Sequence, residues 1–349
     1  MTSVPASLAG TAGDSDRAPA WGAVYALSLC TFTLIASEFM PISLLSPIAH
    51  TLGLTEGQAG QAISISGIFA VLTSLSISSL IGGVDRRHVL LGLTALLIVS
   101  GTLVTFAPTY LVLMIGRAFV GVAIGGFWSM SAATVIRLVP EKSVPRGLAI
   151  LNGGATVATT IAAPLGSLMG GLIGWRGAFF CVVPIAVAAV AWQAFALPNM
   201  PATSHKTGNS MLTLLRRPAV LVGLIAVALF FMGQFALYTY LRPFLEQITH
   251  VSIGVLSAIL LVIGVAAFAG NAVVGRLAQH NLTSVLVAAP ALMAVIQLAI
   301  TLGATVGGVV FDAWGVVPEF IGSAAVLAMA TIMAIVAGRM LASARLQSA

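Results

Sequence analysis

Long, uninterrupted apolar runs recur along the whole chain and limit the folds that it can adopt. Each run is roughly twenty residues long, the length at which an α-helix crosses the hydrocarbon core of a bilayer. Of the 349 residues, 59% are hydrophobic and only 7% are charged, so a soluble globule could not bury the apolar surface. The runs also lack the alternating pattern of membrane β-strands. The sequence therefore predicts an all-α polytopic membrane protein.

We predict about ten spans of roughly twenty residues each, in two bundles. The spans run from Trp21 to Leu45, Gly60 to Ile81, Val89 to Ala107, Thr109 to Ile136, Gly147 to Leu172, Ala178 to Leu197, Val220 to Leu241, Ser252 to Val274, Val285 to Val310 and Val317 to Gly338. The predicted domains are a disordered cytoplasmic tail (1–20), a six-helix bundle (21–197), a cytoplasmic linker (198–219), a shorter C-terminal bundle (220–338) and a second cytoplasmic tail (339–349).

The basic residues predict how the chain is oriented. Twelve of the 15 Lys and Arg residues fall on one side of the predicted spans, two fall on the other, and Arg117 lies within a span. Because basic loops stay in the cytoplasm, both termini and the linker are predicted to be cytoplasmic. The same distribution explains the net charge of +6 without a nucleic-acid partner, since no basic stripe is present.

Two ionisable residues lie inside predicted spans. Helical rise places Glu38 about 10 Å and Arg117 about 12 Å below the outer face, so the two side chains can share one layer. Charges at membrane depth are costly and mark functional sites. The alternatives for Glu38 are a structural ion pair or a carboxylate at the outer rim, and Arg117 could simply donate hydrogen bonds to backbone carbonyls.

Other motifs point to helix packing. Gly121 and Gly125, and Gly166 and Gly170, have the GxxxG spacing that allows membrane helices to approach closely. The two cysteines, Cys30 and Cys181, lie in apolar runs without metal-ligand spacing. No phosphate-binding or hydrolase motif occurs, so we expect no enzyme activity, metal or cofactor.

The two halves of the chain resemble each other weakly, as in transporters built from repeats. The turn Gly83-Val84-Asp85-Arg86-Arg87 is matched by Gly275-Arg276-Leu277-Ala278-Gln279, and a Gly-Gly pair before a Trp-containing turn follows the fifth and ninth spans. The second copy of that turn comes two spans early. We therefore predict that the second bundle lacks two helices, lost between Gln279 and Gln297.

Several stretches resemble a known family. They are the Asp85–Arg87 turn, Ile115-Gly116-Arg117, Glu38–Leu45, Gly125–Ala132, Ala162–Ser167 and Gly233–Pro243. Together they resemble the major facilitator superfamily in its drug:proton antiporter branch, and the longer ones are most similar to purine ribonucleoside exporters of bacterial inner membranes. The match is incomplete, because Gln279 replaces the acid in the second loop and Ala163 and Ser167 stand where the span-five signature has glycines.

The resemblance implies a two-bundle fold and proton-driven export of purine ribonucleosides such as inosine and guanosine by alternating access. It implies that Glu38 and Arg117 couple proton movement to transport. The loop residues Asp85, Arg86 and Arg87 and the span-five residues Pro164 and Gly166 would assist the conformational change. Localisation in the bacterial inner membrane is expected, with a small-molecule substrate and membrane lipid as partners, no cofactor beyond the proton gradient, and a monomeric state.

Candidate substrate-binding residues follow from the chemistry of purines. Their flat faces stack on aromatic rings and their edges bond to amides, which suits side chains in both bundles. The candidates are Phe127, Trp128, Gln234, Tyr238 and Gln297. The alternative functions are export of sugars or drugs by the same mechanism, or a degenerate membrane protein that does not transport.

Overall fold

The computed structural model describes residues 19–201, 218–247 and 251–270, together with residues 321, 324–333, 335–336 and 339. All regular structure in these residues is helical, which confirms the predicted all-α fold class. The chain divides into two compact units, Met1–Ser204 and His205–Ala349, with the boundary inside the predicted linker.

Six helices form the first unit. They are α1 (Trp21–Leu52), α2 (Glu56–Leu80), α3 (Arg86–Thr105), α4 (Tyr110–Leu138), α5 (Val144–Phe180) and α6 (Val182–Ala196), with a short 3-10 turn, Glu141–Ser143, before α5. Polar caps begin two of them: Thr55 and Gln58 form a capping box on α2, and Asp85 caps α3. The helices are long and apolar enough to cross a membrane.

A glycine separates the fifth and sixth crossings. Gly174 has φ 76° and ψ 163°, a backbone conformation that is open essentially to glycine alone, and it interrupts α5. The apolar stretch Glu141–Ala196 is therefore two crossings joined by a tight turn, as the Gly174-Trp175-Arg176-Gly177 sequence predicts.

The first helix extends beyond its predicted end. It includes Pro41 and Pro47 and ends only at Gly53, whose φ of 65° closes the last turn. The prediction that the span ends near Leu45 is wrong for the helix itself. A proline in a membrane helix need not stop it, because neighbouring groups can satisfy the freed carbonyl.

Described helices of the second unit are α7 (Pro218–Gln247), α8 (Ile253–Gly270) and the short α9 (Ala324–Met333). The first two correspond to the predicted seventh and eighth spans, and α9 lies within the tenth. The predicted ninth span and the proposed loss of helices between Gln279 and Gln297 lie outside the described residues.

Within the first unit, α1 is the central helix. It packs along α5 and also touches α2, α4 and α6, while α4 packs between α2 and α3. The two helices α1 and α5 run in the same direction, because Ser28 approaches Gly154 near their starts and Leu44 approaches Gly170 near their ends. Most of the core is apolar, with Leu27, Leu34 and Phe127 among its fully buried members.

One buried polar link ties three of these helices together. The Thr94 hydroxyl lies 3.3 Å from Cys30 Sγ of α1 and donates to Gln193 Oε1 of α6 at 3.0 Å. Buried polar groups are costly unless hydrogen-bonded, so this link fixes α1, α3 and α6 in register.

Candidate functional site

The two charged residues predicted to share a layer in the membrane are in direct contact. Arg117 Nη2 of α4 lies 2.6 Å from Glu38 Oε2 of α1. Arg117 is 1% exposed, whereas the Glu38 side chain keeps 14% of its surface accessible. The shared depth predicted from helical rise is confirmed, and the pair joins two helices that are distant in sequence.

Backbone carbonyls hold the guanidinium from the other sides. Arg117 Nε donates to Ala62 O of α2, and Nη1 donates to Ser37 O of α1, both at 2.9 Å. Both alternatives predicted for Arg117 therefore occur at once: it is a donor to carbonyls and the cation beside Glu38. A buried charge is tolerated only with such partners, because desolvation alone costs several kcal/mol per ion.

Ser66 of α2 completes the cluster, and it was not among the predicted site residues. Its hydroxyl lies 2.7 Å from Glu38 Oε1 and 3.3 Å from Arg117 Nη2, and also within reach of Ile63 O at 2.8 Å. A single hydroxyl proton serves one acceptor at a time, so Ser66 can donate to Glu38 or turn back to its own helix. Ser66 is fully buried, which restricts it to these partners.

Close packing of α4 on α2 brings the cluster together. A Cβ atom added to Gly121 would overlap the backbone of Ser66, and one added to Gly125 would overlap the backbone of Ala70. The GxxxG pair is thus a packing motif, as predicted. Gly121 lies one turn beyond Arg117, so the same close approach positions the guanidinium against α1 and α2.

The contacts of Arg117 are of two chemical kinds. Its contact with Glu38 is an ion pair between a carboxylate and a guanidinium. Its bonds to the Ala62 and Ser37 carbonyls do not involve Glu38. Glu38 is partly accessible, whereas Arg117 is buried.

Two predicted substrate residues of the first unit occupy different environments. Phe127 is 0% exposed and packs in the apolar core with Leu93 and Met130. The structure assigns it to helix packing, because no part of its ring meets open space. The neighbouring Trp128 is 38% exposed on the other side of α4 and remains accessible.

Predicted residues of the second unit are only partly described. Gln234 and Tyr238 are both half-buried on α7, one turn apart on the same face. Gln297 lies outside the described residues. These three positions keep their status as predictions.

The predicted loop motif fastens one end of the first unit. Asp85 accepts hydrogen bonds from the backbone N–H groups of Arg87, at 2.8 Å, and Met200, at 3.0 Å. Arg86 N donates to Met200 O, and the Arg87 guanidinium donates to Ala194 O at 2.6 Å and Asn199 Oδ1 at 2.9 Å. The motif thereby ties the start of α3 to the end of α6 and the segment that follows it.

The charge on Asp85 is favoured by these contacts. Desolvation raises its pKa, but the hydrogen bonds from Arg87 and Met200 and the nearby charges of His88 and Arg87 outweigh it and hold the pKa below its ordinary value. For Arg86, partial burial and the charge of Arg137 lower the pKa. Both residues lie at the end of the bundle, outside the apolar part of the spans.

Pro164 and Gly166 lie in the packed interior of α5. Gly166 meets Ser43 of α1, and a Cβ there would come within 2.5 Å of the Ser43 hydroxyl. The backbone keeps helical dihedral angles at Pro164, and the only residue of α5 that departs from them is Gly174, ten positions later. No group of three His, Cys, Asp or Glu side chains that could bind a metal ion occurs among the described residues.

Comparisons with known proteins agree with this architecture. The profile of the Major Facilitator Superfamily matches residues 27–345. The chain is 45% identical to the "Transcription regulatory protein OpdE" of Pseudomonas aeruginosa, over 93% of this chain and 95% of that protein. It is 38% identical to the "Purine ribonucleoside efflux pump NepI" of Salmonella paratyphi B, over 86% of this chain and 77% of that protein.

The first alignment also shows a difference in length. It extends over 383 positions, but 93% of the 349-residue chain is about 325 residues, so about 58 positions lie opposite gaps in this chain. A deficit of this size is enough for two membrane helices of roughly twenty residues each. The predicted loss of two helices remains a prediction, now with a matching difference in length.

Solved structures show the same fold at low sequence identity. A bacterial homolog of the human lysosomal transporter Spinster superposes with a TM-score of 0.67 and 18% identity, over 91% of this chain and 74% of that chain. The D-xylose-proton symporter gives a TM-score of 0.66 and 14% identity, over 90% and 80% of the two chains. With the family profile and the relatives above, these matches establish that the chain belongs to the major facilitator superfamily, a class of multi-pass membrane transporters rather than enzymes.

Proposed function

We propose that this protein is a secondary transporter that exports purine ribonucleosides, such as inosine and guanosine, in exchange for protons. The observation that carries the proposal is the buried cluster of Glu38, Arg117 and Ser66 at membrane depth. It provides one carboxyl that can gain and lose a proton, one cation that responds to the change, and contacts to three helices. The energy would come from the proton gradient, with no other cofactor.

The cluster suggests how a proton could act on the helices. Deprotonated Glu38 draws Arg117 toward α1, and the Ser66 hydroxyl donates to the same carboxylate. Protonated Glu38 releases Arg117 to its carbonyl partners and leaves Ser66 free to bond to Ile63. Proton binding thereby changes the contacts among α1, α2 and α4, which can shift the balance between outward-open and inward-open states.

The substrate class is proposed from the relatives. The Salmonella relative is named a purine ribonucleoside efflux pump, and the match extends over most of both chains. We further propose that the protein lies in a bacterial inner membrane with both termini in the cytoplasm, since twelve of its basic residues lie on one side of the spans. We also propose that it acts as a monomer.

Everted membrane vesicles with labelled inosine test this function. With an imposed proton gradient, vesicles that contain the protein should accumulate inosine, and a protonophore should abolish the accumulation. The Glu38→Gln variant keeps the shape of the side chain but cannot cycle a proton, so uptake against a gradient should be lost. Active accumulation by this variant with unchanged pH dependence would exclude Glu38 as the coupling carboxyl.

Export of sugars or drugs is the alternative within transport. The same vesicles, offered a labelled sugar or a fluorescent dye in parallel, separate the two possibilities. Gradient-dependent uptake of the sugar or dye without uptake of inosine would contradict the nucleoside assignment and leave the coupling mechanism intact.

A regulatory function is the second candidate, because the Pseudomonas relative is named a transcription regulatory protein. The predicted loss of two helices from the second bundle would also be compatible with a function other than transport. Deletion of the gene, with transcript profiles and inosine flux measured in the same strain, distinguishes the two. If deletion changes the transcripts and the Glu38→Gln variant, which lacks flux, restores them fully, the result would favour regulation without transport.

A further inference from the structure

A row of aromatic side chains runs along one face of α1. Tyr25, Phe32 and Phe39 follow each other at seven-residue intervals, so they lie on nearly the same face, about 10 Å apart along the helix axis. Tyr25 is 45% exposed, and Phe32 and Phe39 are half-buried. The two phenylalanines and Ile35 pack against a small apolar cluster formed by Ala36, Ala158 and Ala162, which fixes them beside α5.

A row of polar side chains runs along α5. Asn152 is exposed, and Thr156, Thr159 and Thr160 are half-buried. Thr156 Oγ1 donates to Asn152 O at 3.0 Å, and Thr159 Oγ1 donates to Thr156 O at 2.9 Å. Their hydroxyl oxygens can still accept hydrogen bonds, and the Asn152 side-chain amide has no bonding partner among the described residues.

Both rows lie on the same side of the α1–α5 pair. The helices run in parallel and touch along Ser28 and Gly154, and along Ser43 and Gly166. The middle of this contact is the cluster that contains Ala36 and Ala162. At about 100° per residue, Phe32 and Phe39 lie about 40–60° to one side of Ala36 around α1. Asn152 and Thr159 lie about 60–80° to the opposite side of Ala162 around α5. In two parallel helices that lie side by side, rows displaced in opposite rotational directions from the contact end up on the same face of the pair. We call this the α1–α5 face and define it by Phe32, Phe39, Asn152 and Thr159.

The polar row is at membrane depth. Gly154 is level with Ser28, which lies seven residues into α1, about 10 Å from its start. Thr159 is level with the region between Phe32 and Phe39, deeper still. An exposed amide and a run of hydroxyls would be costly against lipid, so such groups line water-filled cavities in membrane proteins.

We propose that the α1–α5 face is the purine nucleoside-binding surface of the first bundle. Phe32 and Phe39 offer ring faces and edges to the flat base, while Asn152 and Thr159 offer an amide and hydroxyls to the base edge and the ribose. Glu38 directly precedes Phe39 in sequence, so its side chain lies about 100° around α1 from the aromatic row. The assignment rests on the proposed function and replaces Phe127 as the aromatic contact from this bundle.

Thiol labelling tests the face without relying on transport. Asn152→Cys and Thr159→Cys are made in a protein whose Cys30 and Cys181 are changed to serine, and membranes are treated with a charged maleimide. Both positions should react, and added inosine should slow the reaction by at least about fivefold. Thr102→Cys, at an exposed position on the outer helix α3, is the matched control and should not react. Absence of labelling at both α5 positions, or labelling that inosine leaves unchanged, would overturn the proposal.

Transport kinetics provide the second arm. Phe32→Leu and Asn152→Ala should each raise the KM for inosine by about fivefold or more, because stacking and amide contacts to a base are lost. Phe195→Leu, at a 91% exposed position on α6, is the aromatic control and should leave KM unchanged. If the parent transports inosine and both test variants have an unchanged KM, the assignment of this face as the nucleoside-binding surface is contradicted. If the parent protein transports no inosine, the proposed function is contradicted. Thiol labelling of the α5 positions would still show whether the α1–α5 face is accessible to water.

Discussion

Two carboxylates in the first bundle are stabilised in different ways, and the difference follows from where they lie. Glu38, at membrane depth, is paired with a fully buried arginine and a serine hydroxyl. Asp85, at one end of the bundle, accepts hydrogen bonds from backbone N–H groups and caps a helix. In a low dielectric a countercharge is needed to hold an ion, whereas near water a few N–H donors are enough.

The contrast also separates two kinds of function. The Asp85 contacts join neighbouring segments at the helix ends, α3 to the end of α6, and use the backbone, which does not titrate. The Glu38 contacts join side chains of α1, α2 and α4, and under the proposed function they depend on one proton. Mutations can distinguish the structural clamp at Asp85 from the proposed proton site at Glu38.

The largest effect is expected from removing the cation. Arg117→Leu leaves the Glu38 carboxylate partly buried without its countercharge, which should destabilise the protein by about 3–5 kcal/mol. Denaturant unfolding in mixed micelles measures the change. The double variant Glu38→Leu/Arg117→Leu should recover most of the lost stability, because an apolar pair has no charge to desolvate. Equal losses in the single and double variants would contradict the ion-pair account.

A smaller effect is expected from forcing α2 and α4 apart. Gly121→Ala places a methyl group against the backbone of Ser66, and overpacking of this kind costs about 1–3 kcal/mol. Gly92→Ala on α3, where a Cβ meets no atom within 4 Å, is the matched control and should be neutral or slightly stabilising. The pH dependence of transport should change in the first variant alone, since Ser66 and Arg117 move together.

Removal of the serine hydroxyl should act mainly on coupling. Ser66→Ala deletes the donor to Glu38 Oε1, a loss of about 1 kcal/mol in stability. The carboxylate loses one of its hydrogen bonds, so the pH–rate profile for inosine exchange should differ from that of the parent. The nearby Ser64→Ala, at an exposed position of α2, should leave the profile in place. An unchanged profile in Ser66→Ala would limit Ser66 to packing.

The smallest effect is expected at the structural clamp formed by Asp85. The pKa of Asp85 is held below its ordinary value of 3.8, so its ionised form contributes stability above that pH, and the contribution disappears as the pH falls through the lowered pKa. Asp85→Asn should slightly lower the melting temperature at neutral pH and remove this acid-dependent part. Thermal unfolding between pH 3 and pH 7 is the measurement, with proton-driven inosine uptake expected to persist. If proton-driven uptake were lost in Asp85→Asn, the proposal that Asp85 has only a structural role, separate from the proton site at Glu38, would be contradicted.

The sequence was a good guide where one residue type has one physical role. Gly174 predicted the turn between the fifth and sixth crossings, because few other residues adopt its dihedral angles, and Gly121 and Gly125 predicted close packing. It was a poor guide at Phe127, because an aromatic ring next to a tryptophan can either bind substrate or pack in the core. Only the position of α4 among its neighbours shows that Phe127 is buried and Trp128 accessible.

The same limit explains why Ser66 was missed. The second helix contains several serines, and nothing in their spacing distinguishes Ser66 from its neighbours. Its role depends on the distance between α2 and α4, which Gly121 allows to be short, and on the rotation of α1 that brings Glu38 to the same place. Local sequence does not encode which faces of separate helices meet.

By itself, the sequence determined that the chain is a bundle of membrane helices with one acid and one base at similar depth. Helix length and hydrophobicity are local properties, and depth follows from counting residues along a helix. The tertiary structure decided that the acid and base touch, that a serine joins them, and that aromatic and polar rows of α1 and α5 share one face. Those facts depend on contacts between segments up to 126 residues apart, such as Ser28 and Gly154, which only packing can fix.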